Sequence, residues 1–415
     1  MSDVSEGGYR NITSERQLRQ YCRQLAQCPA IAVDTEFVAE HTYRPVLCLV
    51  QVAAGDELAI IDPLAVKDLK PFWEVLASQG HETIVHAGRR DAEFCLEAVG
   101  RFPAGLFDVQ VAAGLVGIEY PAGYATLVSK LLGLQSKKQE TRTDWRRRPL
   151  SPRQIAYALE DVIHLRALRE VLGQRLTELK RLDWLIEEMD LWREEIVRAA
   201  SAEQWRSIAG FASLDARGQA IVRELYYWRE TEARRRNQPV RRVLRDDLIY
   251  ELARRQLADP KQIAALRGME RPDLRRRLDD IAACIRRGLA APEPAASEKQ
   301  KREPPPQLSV LGQFLFAALG NVCRQLQLAP GLVGGPNDVR ELLAYRTAPS
   351  EDRPPPKLAR GWRAKVIGQL FDKLLSGQMA IYVADPLSDS PLGFEQRQQS
   401  GSGSSGPGLP RSSKS

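Results

Sequence analysis

Strand-type patterning is confined to the first quarter of this 415-residue chain, and from about residue 177 it nearly vanishes. Ile31–Phe37, Leu47–Val52 and Leu58–Ile61 read as strands, the last two joined around Gly55-Asp56 in the manner of a hairpin. Thr83–His86 is a further short apolar run, and the chain leaves it through Gly88. Helical patterns cover about 15–27, opened by Ser14 and Gln17 as an S-x-x-Q capping box, then 91–99, 107–117, 124–133 and 152–174. A strand meander followed by strands alternating with helices predicts an α/β domain with a mixed sheet. The rest reads as helix and linker. Residues 177–209 look like connecting helix, 211–290 like a compact helical domain, and 309–384 like a third, mainly helical unit. Between the last two lies the Pro- and charge-rich stretch APEPAASEKQKREPPPQ. Beyond Pro386 the Ser/Gly/Pro/Gln composition predicts disorder, because it offers too little apolar surface to offset the entropy of ordering.

Several classes are excluded by the same reading. The longest clean apolar stretch, Val46–Val50, stops at Gln51, far short of the roughly 20 residues of a membrane helix. The polar start MSDVSEGGYRN has no apolar core of a secretory signal. Six cysteines without a CxxC pair make neither a disulfide scaffold nor a zinc site. The expectation is a cytoplasmic protein with no membrane partner. Net charge is +7, and residues 211–290, with 19 Lys and Arg against 12 Asp and Glu, hold a surplus of that size alone. Any single run, such as Arg234-Arg235-Arg236, could be a solvated helix face. Gathering the whole excess in one domain favours a surface for a phosphate backbone.

Three short segments carry acids in unusual settings. Asp34 and Glu36 stand two apart in an apolar strand, so both carboxylates share one face while Thr35 takes the other. Val85-His86-Ala87-Gly88-Arg89-Arg90-Asp91 runs from a strand through a glycine into a helix whose start bears Asp91. Tyr157 and Asp161 lie four apart on a helix, hence on one side of it. Each has a bland alternative: a strand end in water, an acid at a helix N-terminus, a tyrosine at a core edge. Together the four carboxylates form an oxygen-only donor set without a Cys or His cluster, suited to Mg²⁺ or Mn²⁺. Two such ions are a recurrent apparatus for in-line displacement at phosphorus, with Tyr157 placed to orient the attacking water.

The segments D-T-E-F, V-H-A-G-x-x-D and Y-A-x-x-D-V-x-x-L are similar to the three motifs of the DEDD exonuclease superfamily, in its tyrosine-bearing branch. More narrowly, the chain resembles the bacterial ribonuclease D family. Phe107-Asp108, Lys138–Trp145 and Arg148-Pro149-Leu150-Ser151 add to the likeness. Residues 211–290 resemble an HRDC domain, and Gly361-Trp362-Arg363 is similar to a second HRDC-like domain. The resemblance implies a ribonuclease H-like exonuclease domain with a mixed sheet at 10–176 and connecting helices at 177–210. It further implies an all-α HRDC domain at 211–290 and a second all-α HRDC-like domain at 309–385; composition gives the linker at 291–308 between them and the disordered tail at 386–415, which the resemblance does not cover. It implies metal-dependent 3′–5′ removal of nucleoside 5′-monophosphates from RNA, with 3′-extended tRNA precursors as substrates and a monomeric enzyme. By motif position Asp34, Glu36, Asp91 and Asp161 become ligands of two Mg²⁺ or Mn²⁺ ions, and Tyr157 the residue that positions water. The histidine-bearing sister branch does not fit, since Tyr157 occupies the position four before Asp161 and His164 follows it. Arg142 and Trp145 are candidates either for substrate contact or for a structural role. A DNA 3′–5′ exonuclease, or a nucleic-acid-binding adaptor with a vestigial nuclease, are the alternatives.

Overall fold

The computed structural model describes residues 8–135, 143–201, 204–291, 306–347 and 354–397. The chain divides into two compact units, Met1–Ala113 with Ala122–Pro304, and Gly114–Pro121 with Pro305–Ser415. No helix among the described residues is long and apolar enough to cross a membrane.

The first unit is built on a six-stranded sheet of strands β1 (Arg10–Ile12), β2 (Ala30–Val38), β3 (Val46–Ala54), β4 (Glu57–Ile61), β5 (Glu82–Val85) and β6 (Leu106–Asp108). Their spatial order is β1-β4-β3-β2-β5-β6. β2–β3 and β3–β4 are antiparallel, while β1–β4, β2–β5 and β5–β6 are parallel. This is the expected ribonuclease H-like mixed sheet, with β1 added at the edge. Three residues are too few for a periodic signal, so β1 was not legible in the sequence.

The strand period sorts the side chains of β2 into two layers. Ile31 and Val33 point into a core with Leu18 and Tyr21 of α1 (Glu15–Leu25), Phe72 and Trp73 of α2 (Lys70–Ala77), and Phe94 of α3 (Arg89–Val99). The opposite face of the sheet packs Leu49 and Ile60 against Ala158 and Trp145. The helices that follow are α4 (Val109–Leu115), α5 (Tyr124–Leu127), α6 (Pro152–Ile163), α7 (Leu165–Glu178) and α8 (Leu182–Ser201). The single helix expected over 152–174 is thus two, broken at His164.

The helical part of this unit comprises α9 (Ala216–Arg236), α10 (Val240–Val243), α11 (Asp246–Arg255), α12 (Pro260–Ala264), α13 (Pro272–Arg275) and α14 (Leu278–Ala290). α9 and α14 cross tightly at Gly288, where a Cβ would lie 2.7 Å from Ile221 Cα. The end of α9 clasps the loop that leaves β2. Tyr43 donates its hydroxyl to Glu230 (2.8 Å) and its N–H to the side chain of Asn237 (3.2 Å).

The second unit contains α15 (Pro306–Gln325), α16 (Pro330–Val333), α17 (Pro336–Thr347), α18 (Gly361–Arg363) and α19 (Gln369–Leu375). Trp362 is fully buried, and buried Arg363 donates to the carbonyls of Leu332 and Val333. The unit ends in a hairpin of β7 (Met379–Val383) and β8 (Leu392–Gln396). All-helical structure to 385 and disorder from 386 therefore do not hold for 379–397; residues 398–415 lie outside the described residues. The cause is tertiary. Asn321 on α15 takes both the N–H and the carbonyl of Leu392, each at 2.9 Å, an anchor that local composition does not reveal.

Candidate active site

Asp34 and Glu36 reach the sheet face against which α6 packs, and Asp161 descends from the last turn of α6. One carboxylate oxygen from each of the three lies within 4.8 Å of the other two. All three are half-buried. The strand alternation therefore places Asp34 and Glu36 on one face as expected. A register shift directly after Glu36 bends the strand away beyond the pair.

Asp91 is not a member of this three-carboxylate group. It sits in the first turn of α3, is buried, and accepts a 2.6 Å hydrogen bond from Thr35 Oγ1. Thr35 follows Ile31 and Val33 onto the α3 side of the sheet, so Asp91 meets β2 from the layer opposite to α6. The turn that delivers it is tightly specified. Ala87 adopts left-handed backbone geometry (φ 54°), and at Gly88 any Cβ would fall 2.4 Å from Val85 Cβ. The Gly88 N–H donates to Asp108 Oδ2 (2.8 Å), while Asp108 Oδ1 accepts from the N–H groups of Gln110 (2.8 Å) and Val111 (3.0 Å). Fully buried Asp108 thus ties the start of α3 to the start of α4.

Tyr157 and Asp161 project together from α6, whose start is fixed by a Ser151–Gln154 capping box with Pro152 at its first position. Tyr157 packs against Trp145, ring centroids 6.2 Å apart. Trp145 is 5% exposed and belongs to the core beneath α6, so of its two readings the structural one holds. Its segment is held by Arg148, which grips Asp62 through two nitrogens at 2.6 and 2.7 Å. Arg142 lies outside the described residues.

Two further groups were missed in the sequence. Thr35 carried no signal beyond its place in the strand alternation. Gln51, directly opposite Asp34 in the β2–β3 register, is fully buried with neither its amide oxygen nor its nitrogen hydrogen-bonded.

The acids are crowded enough to resist ionisation. Burial, followed by the charges of Asp91, Asp161 and Glu36, holds the Asp34 carboxyl well above the usual carboxylate range. Burial and then Asp161 and Asp91 push Glu36 up to about 8. Burial raises Asp161 to about 6 against the hydrogen bond of Tyr157, and Asp91 to about 6 against that of Thr35. The Tyr157 phenol moves up too, from burial first and the Asp161 charge second. Converging carboxylates that repel one another, with oxygen donors only and an orphaned amide beside them, fit a divalent cation. Removing the Thr35 hydroxyl tests how much of this depends on Asp91. Thr35→Val keeps the side-chain shape but should weaken divalent-ion affinity by about tenfold, read by titration calorimetry; unchanged affinity would detach Asp91 from the ion site.

The match of the chain to known proteins is consistent along its length. Residues 9–177 match the family of 3′–5′ exonuclease domains, and 218–285 match the HRDC domain. Ribonuclease D of Gluconacetobacter diazotrophicus is 35% identical over 393 residues, covering 92% of this chain and 98% of that protein. Ribonuclease D of Pseudomonas paraeruginosa is 35% identical over 368 residues, covering 86% and 95%. The crystal structure of Escherichia coli ribonuclease D, an exoribonuclease involved in structured RNA processing, superposes with a TM-score of 0.79 at 28% identity, covering 89% of this chain and 99% of that one. Relatives matched over almost their whole length, on a fold that gathers the acids of the expected motifs, show that this chain belongs to the ribonuclease D family and is a 3′–5′ exoribonuclease.

Proposed function

We propose that the protein trims RNA from the 3′ end, releasing nucleoside 5′-monophosphates, and that 3′-extended tRNA precursors are its substrates. The convergence of Asp34, Glu36 and Asp161 within 4.8 Å carries this reading. Together with Asp91 they would hold two divalent cations, Mg²⁺ or Mn²⁺. Bound there, the ions supply the charge that acidifies an attacking water and offsets the negative charge building on the phosphate and the leaving oxygen. The chain's own contribution is placement. β2 fixes Asp34 and Glu36, α6 fixes Asp161, and the Thr35 hydroxyl fixes Asp91. Tyr157, next to Asp161 on α6 and braced by Trp145, orients the water by hydrogen bonding. We place the enzyme in the cytoplasm as a monomer, following the family resemblance.

The helical domain supports a role in gripping the body of the RNA, though on fewer residues than the charge runs suggest. Arg235 and Arg236 are paired with Glu232, Arg254 and Arg255 with Glu251, Arg271 with Asp273, and Arg287 with Glu224. Arg241 and Arg267 have no ion pair among the described residues and line a groove of about 850 Å³ that also includes Tyr250. Replacing both by alanine should weaken tRNA-precursor binding and reduce the slope of log affinity against log salt by about two, roughly one per lost phosphate contact. Filter binding at several salt concentrations reads this out; an unchanged slope would move the contact surface elsewhere.

The decisive assay incubates a 5′-labelled 3′-extended tRNA and a matched DNA oligonucleotide with Mg²⁺ or Mn²⁺. A ladder shortening by single nucleotides on the RNA, with mononucleotide 5′-phosphates as products, is expected. Preference for the DNA, or internal cuts, would reject the proposal.

A further inference from the structure

Helix α6 stops two residues after Asp161, and the manner of its stopping involves a side chain from elsewhere. In an uninterrupted helix the Glu160 carbonyl would accept from the His164 N–H. Here the Tyr124 hydroxyl stands between them: it donates to the Glu160 carbonyl at 2.7 Å and accepts from the His164 N–H at 3.2 Å. A group inserted into the helical ladder is a recognised cause of a bend, and the chain resumes as α7 only after His164. Asp161 immediately follows Glu160, whose carbonyl takes this hydrogen bond, and it lies in the last turn before the break.

Tyr124 is itself held from the turn that delivers Asp91. Its ring packs against that of His86 in a T-shaped pair, centroids 5.7 Å apart and planes at 71°. His86 Nε2 lies 2.9 Å from the Ala122 carbonyl. A carbonyl can only accept, so this ring nitrogen carries the proton. Gln110 donates to the same carbonyl at 2.9 Å. A continuous chain of contacts therefore runs from the β5–α3 turn through His86 and Tyr124 to the α6–α7 break. We infer that Tyr124 is a positioning residue: its hydroxyl, wedged between Glu160 and His164, sets the bend that brings the Asp161 carboxylate to Asp34 and Glu36. This rests on the reading of Asp161 as an ion-binding carboxylate.

Tyr124→Phe keeps the ring and its packing but empties the bridge, leaving Glu160 and His164 free to close the ordinary helical bond. Two readouts are expected to move. Affinity for Mn²⁺, measured by electron paramagnetic resonance on RNA-free protein, should fall about tenfold, and kcat on an RNA oligonucleotide should fall by a similar factor, with KM held within about twofold. Tyr124→Leu, which also removes the ring, should add little to the loss of ion affinity. An unaltered Tyr124→Phe beside a crippled Tyr124→Leu would assign the residue to packing and overturn the inference, as would Mn²⁺ affinity and kcat both unchanged in Tyr124→Phe. Asp161→Asn, run in parallel, separates the two levels. If it leaves Mn²⁺ affinity intact, the reading of Asp161 as a ligand fails; if it abolishes binding while Tyr124→Phe does not weaken it, only the role of the tyrosine fails.

Discussion

Asp34→Asn should leave RNA binding intact and lower kcat on the order of 10³-fold or more, since loss of even one well-aimed transition-state donor costs about 10²–10³. The side chain keeps its shape and its place in β2, but the charge that faces Glu36, Asp91 and Asp161 is gone. With the phosphate backbone gripped by the helical domain as proposed, a mobility-shift titration with a 3′-extended tRNA should give nearly the native affinity. Denaturing gels of the same mixtures should show the full-length RNA persisting. Trimming at the native rate would remove Asp34 from the hydrolytic centre. The substitution should also stabilise the ion-free fold, because it relieves the repulsion that ions otherwise compensate, an instance of function held at the expense of stability.

The second large effect concerns pH in the absence of divalent ions. Asp34, Glu36, Asp91 and Asp161 all ionise at higher pH in the folded protein than in the unfolded chain. The unfolded state therefore loses its protons first, and rising pH favours unfolding. The stability these groups contribute is complete below the ordinary carboxylate range near 4. It fades as pH climbs through about 6, where Asp91 and Asp161 titrate, and through about 8 for Glu36. The Tm of chelator-treated protein should accordingly drop by roughly 5 °C or more between pH 5 and pH 8.5. Adding divalent ion at pH 8.5 should recover it, since at about 100 times the Kd a ligand of the folded state adds about 2.7 kcal/mol. Asp34→Asn should flatten the dependence. A Tm that rises with pH in the ion-free protein would contradict the crowding of charges described above.

What could be read from the sequence followed strict periods. Two-residue alternation placed Asp34 and Glu36 on one side of β2, and four-residue spacing placed Tyr157 beside Asp161. The turn through Gly88 showed that Asp91 opens a helix, but not that it would approach β2 from the opposite layer. That needs the position of Thr35, whose hydroxyl gains meaning only once α3 is packed. Gln51 and Tyr124 were silent for the same reason: one is notable for the partners it lacks, the other for two backbone groups 36 and 40 residues away. The break at His164 left no Gly or Pro in the pattern because a distant hydroxyl makes it. The arginine runs misled in the other direction. Acids three or four positions away on the same helices neutralise many of them, so net charge overstated the surface free to meet phosphate. The closing hairpin was hidden by flanking low complexity and depends on Asn321, about seventy residues earlier in the chain.

More than a hundred residues separate Asp34 from Asp161, and the sheet that carries the first is complete before α6 begins. A growing polypeptide that ends before Asp161 has two of the clustered acids but neither the third nor the α6–α7 break that follows it. With Asp161 as the ion ligand proposed above, such a fragment would lack a complete ion site while still on the ribosome, among messenger and transfer RNA. On the site proposed above, the nuclease would become armed only when the helix bearing Asp161 has left the exit tunnel and docked, which would delay its hydrolytic power until synthesis has moved well past β2.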